Sequence, residues 1–276
     1  WIELSTSRFR MKYKKGSGQF TSRNLSITSA KGMYPFRWMP GMKQKCNLKG
    51  TYRTLDGYDG DKHIHTNELM PLEDGLLATD GWTLIDDSDN FLFDDADWTW
   101  VKPREKKGSQ DWYFMAYGHD YKSALKDYTM FAGKIPLPPR YAFGYWWSRY
   151  WSYSDNELRE LLRKFRMYDI PLDVLVIDMD WHYTEPGKGG WSGWTWNKRL
   201  FPNPGRLLAD LKKEGVKLTL NLHPADGFAF YEEPYRAIAT DIGMNPEGKD
   251  TIPWITSDKK LMEAVFRNAL HPMEKE

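Results

Sequence analysis

Over the first 118 or so residues, apolar positions recur at every second residue in short runs, and no helical period persists. Between residues 7 and 15, Phe9, Met11 and Tyr13 fall on one face and Arg8, Arg10, Lys12 and Lys14 on the other, the alternation of a half-solvated strand. Asp-Gly pairs at 56–57, 59–60, 74–75 and 80–81 mark tight turns around expected strands at 51–55, 62–69 and 82–85. The pattern predicts an all-β unit, a β-sandwich, over residues 1–118.

At His119 the period lengthens. Tyr121, Ala124, Leu125, Tyr128, Phe131 and Ala132 recur at helical spacing, with Asp120 as N-cap and Gly133 just past the end. The run Ile135-Pro136-Leu137-Pro138-Pro139-Arg140 then stops any helix, so residues 119–139 read as a helix and connector. Beyond it, strands and helices alternate. Strands are predicted at 142–147, 172–177 and 216–222, and helices at 154–169, 204–214 and 257–270, with a fourth strand expected after His271. Ser154 and Glu157 form a capping box for the first of these helices. Such alternation implies right-handed βαβ units on a parallel sheet, an α/β architecture for residues 140–276.

Composition narrows the possible partners. With 39 Lys+Arg against 38 Asp+Glu, the near-neutral chain offers no field for nucleic acid, despite the basic stripe at residues 8–14. No run approaches the roughly 20 apolar residues of a membrane span, and the mean hydropathy is −0.70. A single cysteine, Cys46, excludes an internal disulfide and a cysteine-clustered zinc site. His63 and His65, and the turn aspartates Asp86, Asp87, Asp89, Asp94, Asp95 and Asp97, lack the spacing of a calcium loop and read as surface or turn residues. No metal or cofactor is expected. The start, Trp1-Ile2-Glu3-Leu4, lacks signal-peptide features, as a processed or cut chain also would, so a periplasmic or secreted intact protein is compatible with it. Nothing in the sequence speaks to oligomeric state.

The excess is aromatic, with 14 Trp, 16 Tyr and 13 Phe. Indole faces suit flat apolar partners, including the C–H faces of sugar rings, although packing is the commoner use. In parallel α/β units, functional groups sit at the carboxyl ends of strands. Here those ends carry Ser148, Arg149, Tyr150 and Trp151; then Asp178, Met179, Asp180, Trp181 and His182; then Asn221, His223 and Asp226. Carboxylates that accept from hydroxyls, beside indoles, form a rim suited to carbohydrate. Structural alternatives stand beside each. Asp180 could cap a turn, Arg149 could pair with a carboxylate, and His182 and His223 could be satisfied by backbone. Asp178 ends the apolar run Val174–Ile177, where an unpaired buried carboxylate would cost roughly several kcal/mol, which favours a ligand-facing role. The Gly/Trp loop from Tyr183 to Trp196, with Trp191 and Trp194, either lines a further subsite or packs.

Three segments together, Lys134 to Trp151, Ile170 to Trp181 and Trp194 to Pro204, resemble glycoside hydrolase family 31. They match its P-P-x-W/Y-A-x-G approach to the barrel and its P-h-D-V-h-h-h-D-h-D second strand, and the likeness is good over residues 70–276 and weak before them. The resemblance implies a retaining α-glycosidase, α-glucosidase-like, acting on an oligosaccharide or α-glycoside. It implies a partial (β/α)8 TIM barrel of about three βα units preceded by an incomplete β-sandwich. Asp178 would bind sugar hydroxyls in the −1 subsite, with either Tyr150 or Trp151 as its aromatic wall and Trp181, His223 and Asp226 around it. Where many members read Asp-Pro-Ala, this chain has His223-Pro224-Ala225. The family's nucleophile and acid/base follow its fourth and sixth strands, so both are expected beyond Glu276 and this chain alone is expected to be inactive. A non-catalytic carbohydrate-binding protein on the same fold is the alternative.

Overall fold

A computed structural model describes residues 1–50, 72–184 and 192–276. The expected strands at 51–55 and 62–69, the turns at 56–57 and 59–60, and His63 and His65 lie outside the described residues, as do Gly187, Gly189, Gly190 and Trp191. Two compact units are present, Trp1–Pro136 and Leu137–Glu276. No helix among the described residues is long and apolar enough to cross a membrane.

In the first unit, β1 (Ile2–Ser5), β2 (Phe9–Tyr13), β3 (Leu25–Ser29) and β4 (Arg37–Trp38) form an antiparallel sheet in chain order. The alternation read along β2 is physical, since Phe9, Met11 and Tyr13 are half-buried while Arg10 and Lys12 face water. Of the remaining strands, β5 (Thr83–Asp86) pairs with β8 (Trp112–Met115), and β6 (Leu92–Phe93) with β7 (Val101–Lys102). Buried Leu25, Ile27, Trp38 and Trp82 make one core, in which Phe114 lies 4.9 Å from Trp38 and stacks on Trp82 at 6.0 Å. Asp86, Asp87 and Asp94 serve turns of this unit. Asp86 accepts from the Ser88 backbone at 3.0 Å, Asp94 from the Trp100 backbone at 2.8 Å, and Asp87 pairs with Arg104 at 2.8 Å. Helix α1 (Tyr121–Ala132) is capped by Asp120, whose side chain accepts from the Ser123 N–H.

The second unit holds a parallel sheet, β9 (Trp146–Trp147), β10 (Val174–Ile177) and β11 (Lys217–Leu220), with β10 in the middle. That position explains the continuous apolar run of β10, in which Val174, Leu175 and Ile177 are buried. The sequence predicts a strand over 142–147; the structure has a tight helical turn at Arg140–Phe143 and only two strand residues. Gly144 between them is a steric requirement, because a Cβ there would lie 2.2 Å from the Asp173 carboxylate. That carboxylate also accepts from the Tyr145 N–H at 3.0 Å.

Helix α2 (Asp155–Met167) joins β9 to β10 and carries the predicted capping box, both halves of which are formed. Helix α3 (Pro204–Lys213) leads into β11 and is capped by Asn203. Leu158, Phe165, Leu207 and Leu211 from these helices pack with Leu175 and Ile177 in the core of the unit. Helix α4 (Tyr235–Ile242) is unanticipated by the sequence pattern. It has no side-chain cap and is held by burial of Tyr235, Ile238 and Ala239. The predicted helix at 257–270 starts later, as α5 (Lys259–Val265), capped by Asp258. It runs on through a widened turn at Phe266–Leu270 into α6 (His271–Lys275), where a strand had been expected. Pro272 explains the widening, since it has no N–H to give the carbonyl four residues back.

Candidate functional site

The carboxyl ends of the three parallel strands bring together residues from separate parts of the chain. Asp178 follows β10 directly. Its Oδ1 accepts from the Met179 N–H at 2.8 Å and from Asn221 Nδ2 at 2.6 Å, while Oδ2 accepts no hydrogen bond among the described residues. Asn221 is placed by the ladder, its N–H donating to the Ile177 carbonyl at 3.0 Å as β11 ends. The half-buried carboxylate of Asp178 is therefore oriented through one oxygen, and the other stays available.

Asp180, two residues on, behaves as a turn former. It sits at a φ of +71°, and its oxygens accept from the Ser152 and Thr184 hydroxyls, tying the end of β9 to that of β10. Trp181 lies beneath the rim with no exposed surface, and its indole N–H donates to the Asn221 carbonyl at 2.8 Å. The two aromatics after β9 face outward, Tyr150 at 73% exposure and Trp151 at 49%. The Arg149 guanidinium covers one face of Trp151, 4.5 Å from the ring centroid, and has no carboxylate partner among the described residues.

The imidazoles divide. His182 is completely buried, with Nδ1 3.2 Å from the Tyr183 carbonyl, which puts the proton on Nδ1 and leaves Nε2 without a partner. Burial pushes this imidazole below the usual histidine range, partly opposed by the Tyr183 contact. Gly193, at a φ of +66°, lies flat against the ring, where a Cβ would come within 3.1 Å. His223 is half-buried on the rim, its ring centroid 6.4 Å from that of His182. Asp226 is exposed and ends the short turn Pro224–Asp226.

Trp194 packs, the second of the two alternatives open for it. Its ring stacks on Phe228 at 4.4 Å, and its indole N–H donates to the Gly227 carbonyl at 3.2 Å. Sequence reasoning missed a buried carboxylate, Glu232, to which the Ser192 hydroxyl donates. It also missed Ser152 and Thr184, whose hydroxyls hold Asp180. Nothing in the local pattern marks any of them.

Parallel strands with helical crossovers, and polar groups gathered at the strand ends, define this unit as an α/β fold of the kind that carries its functional groups at the carboxyl ends of its strands. The model of the glycosyl hydrolases family 31 TIM-barrel domain matches residues 135–274, and the chain belongs to that family. It is 35% identical over 115 residues to an alpha-xylosidase of Saccharolobus solfataricus, an alignment covering 42% of this chain and 15% of that protein. It is 36% identical over 133 residues to alpha-glucosidase 2 of Bacillus thermoamyloliquefaciens, covering 47% and 16% respectively. The chain thus spans about a sixth of the length of these relatives. A Flavobacterium johnsoniae GH31 dextranase, solved as a mutant complexed with isomaltotriose, superposes with a TM-score of 0.50 at 18% identity, covering 80% of this chain and 29% of that one. At that identity the likeness concerns the fold alone.

Proposed function

We propose that this chain forms part of a retaining α-glycosidase and supplies one side of its sugar-binding rim. The observation that carries the reading is Asp178, a carboxylate at the end of the central strand held through Oδ1 with Oδ2 left to accept from a sugar hydroxyl. Family membership and relatives named alpha-xylosidase and alpha-glucosidase support it. Asp178 binds substrate, and Tyr150 or Trp151 offers the aromatic wall. His223 and Asp226 extend the rim from the β11 side. Trp181 contributes from below, by fixing the Asn221 carbonyl.

Retention needs two carboxyl groups roughly 5 to 5.5 Å apart, one attacking the anomeric carbon and one protonating the leaving oxygen. We assign neither to Asp178, whose Oδ1 is committed to Asn221 and Met179. Both belong to later strands of the barrel, so residues 1–276 alone turn over no glycoside. The first unit is read as a β-sandwich, its two sets of strands meeting at Trp38, Trp82 and Phe114.

The test is to express this sequence within a complete barrel and follow aryl α-glucoside and α-xyloside cleavage by proton NMR. First release of the α-anomer supports the reading. Release of the β-anomer, or no cleavage across an α-glycoside panel, overturns it, the latter favouring a non-catalytic sugar-binding protein. Turnover by residues 1–276 alone would overturn the assignment of the nucleophile to later strands.

A further inference from the structure

Glu232 lies in the loop between β11 and α4, and only 4% of its surface is exposed. No lysine, arginine or histidine pairs with it among the described residues. Its Oε1 accepts from the Ser192 hydroxyl, the Thr195 hydroxyl and the Trp194 backbone N–H also face the carboxyl group, and its Oε2 is buried without a hydrogen bond of good geometry. The next residue repeats the connection, since the Glu233 N–H donates to Thr195 Oγ1 at 2.8 Å. Two adjacent residues of one loop thus grip two residues of the segment 192–197. The far end of that segment is tied to the rim, where Asn197 N–H donates to the Trp181 carbonyl at 2.7 Å and Trp196 bridges to His182. Between Ser192 and Thr195 sits Gly193, pressed on the His182 ring that faces His223.

A buried acid with no counter-charge is costly to keep. A core position that needed only shape would be filled more cheaply by Leu or Met. We propose that Glu232 is a positioning residue: through Ser192 it holds Gly193 against His182, and so sets where His223 stands on the sugar-binding rim. The inference rests on the glycosidase reading for its kinetic consequence, but not for its structural one. Glu232 touches no substrate; it acts through the segment it holds.

The experiment compares Glu232→Gln, Glu232→Ala and Ser192→Ala in the complete barrel, by kinetics on an aryl α-glycoside and by the imidazole nitrogen resonances of His182 and His223. Gln keeps an acceptor for Ser192, so both KM and kcat should stay within about twofold of the parent, whereas Ala should raise KM about tenfold with kcat changed less than about threefold, as expected for a misplaced binding group. Ser192→Ala should shift the His182 resonances in the same direction as Glu232→Ala. A Glu232→Ala protein with parental KM and unmoved His182 resonances would overturn the proposal, as would a Gln variant as impaired as Ala. If Glu232→Ala does not fold, Ser192→Ala decides by the same two readouts. If the parent cleaves no α-glycoside, the functional reading fails while the histidine resonances still test the positioning role.

Discussion

Asn221 Nδ2 donates to Asp178 Oδ1 at 2.6 Å, so the residues that immediately follow two neighbouring parallel strands are joined through their side chains. The strand register makes this possible, because Ile177 lies opposite Leu220 at the two strand ends and the residue after each is the polar one. The same Asn221 takes the Trp181 indole on its carbonyl, so the rim carboxylate, the amide and the buried indole form one connected group.

Replacing Asp178 by Asn should therefore lower kcat/KM without unfolding the barrel. A charge-assisted acceptor is worth on the order of 1.5 to 3 kcal/mol, or roughly ten- to a hundredfold. Steady-state kinetics of Asp178→Asn in the complete barrel checks this. Unaltered kinetics would reduce Asp178 to a structural residue, and rescue by azide would make it a nucleophile.

The apolar run of β10, the capping box of α2 and the alternation of β2 were legible because each is decided locally, by burial on both faces, by two side chains three residues apart, or by a period of two. Helix α4 was not, because it has no capping side chain and owes its helicity to tertiary burial of Tyr235 and Ile238. At the site, the strand-end position of Asp178 could be read, but its pairing with Asn221 could not, since register between strands is not written in either one. The tryptophans show a similar limit. Their number is compatible with stacking and with the commoner packing, and the structure divides them, Trp181 and Trp194 being buried while Trp151 is half exposed; an indole looks the same in sequence in either place.

Two buried titratable groups predict opposite pH dependences of stability. For Glu232, burial raises the carboxyl above its ordinary 4.5, against the pull of the Ser192 and Thr195 hydroxyls. The folded state then holds the proton more tightly, so its contribution is complete below about pH 4.5 and is lost as pH rises through the folded value. For His182, burial lowers the imidazole below 6.5. The unfolded state then binds the proton better, so its contribution is complete above about pH 6.5 and is lost as pH falls through the folded value. Unfolding midpoints against pH should show Glu232→Gln flattening the loss on the rising limb and His182→Asn flattening the loss on the acid limb. The reverse assignment of limbs would contradict both directions.

Ser154 closes the capping box with Glu157, its Oγ accepting from the Glu157 N–H at 3.3 Å. Ser154→Ala removes that acceptor at the start of the helix that leads into β10. The loss should be about 1 kcal/mol, read as a shift in the urea midpoint with unchanged slope. Ser154→Asp should recover most of it. A null result for Ala would mean that solvent serves the freed N–H equally well.

Tyr150 and Trp151 compete for the aromatic wall of the rim, and the structure separates them physically. Arg149 occupies one face of Trp151 at 4.5 Å, so that indole has a single face to offer and a guanidinium holding its orientation. Tyr150 is 73% exposed and makes no hydrogen bond or ring contact among the described residues. A stacking platform works best when its side chain is already ordered, because ordering a free ring on binding costs roughly 0.5 to 1.5 kcal/mol. Trp151 is the ordered one, and we propose it as the wall. Trp151→Ala should then raise KM for an aryl α-glycoside by about tenfold or more, Tyr150→Ala by less than about threefold, and Arg149→Ala by an intermediate factor through lost orientation. Kinetics of the three variants in the complete barrel tests the assignment. A larger effect at Tyr150 than at Trp151 would reverse it, and equal effects of Arg149→Ala and Trp151→Ala would make the guanidinium, rather than the ring, the group that meets the sugar.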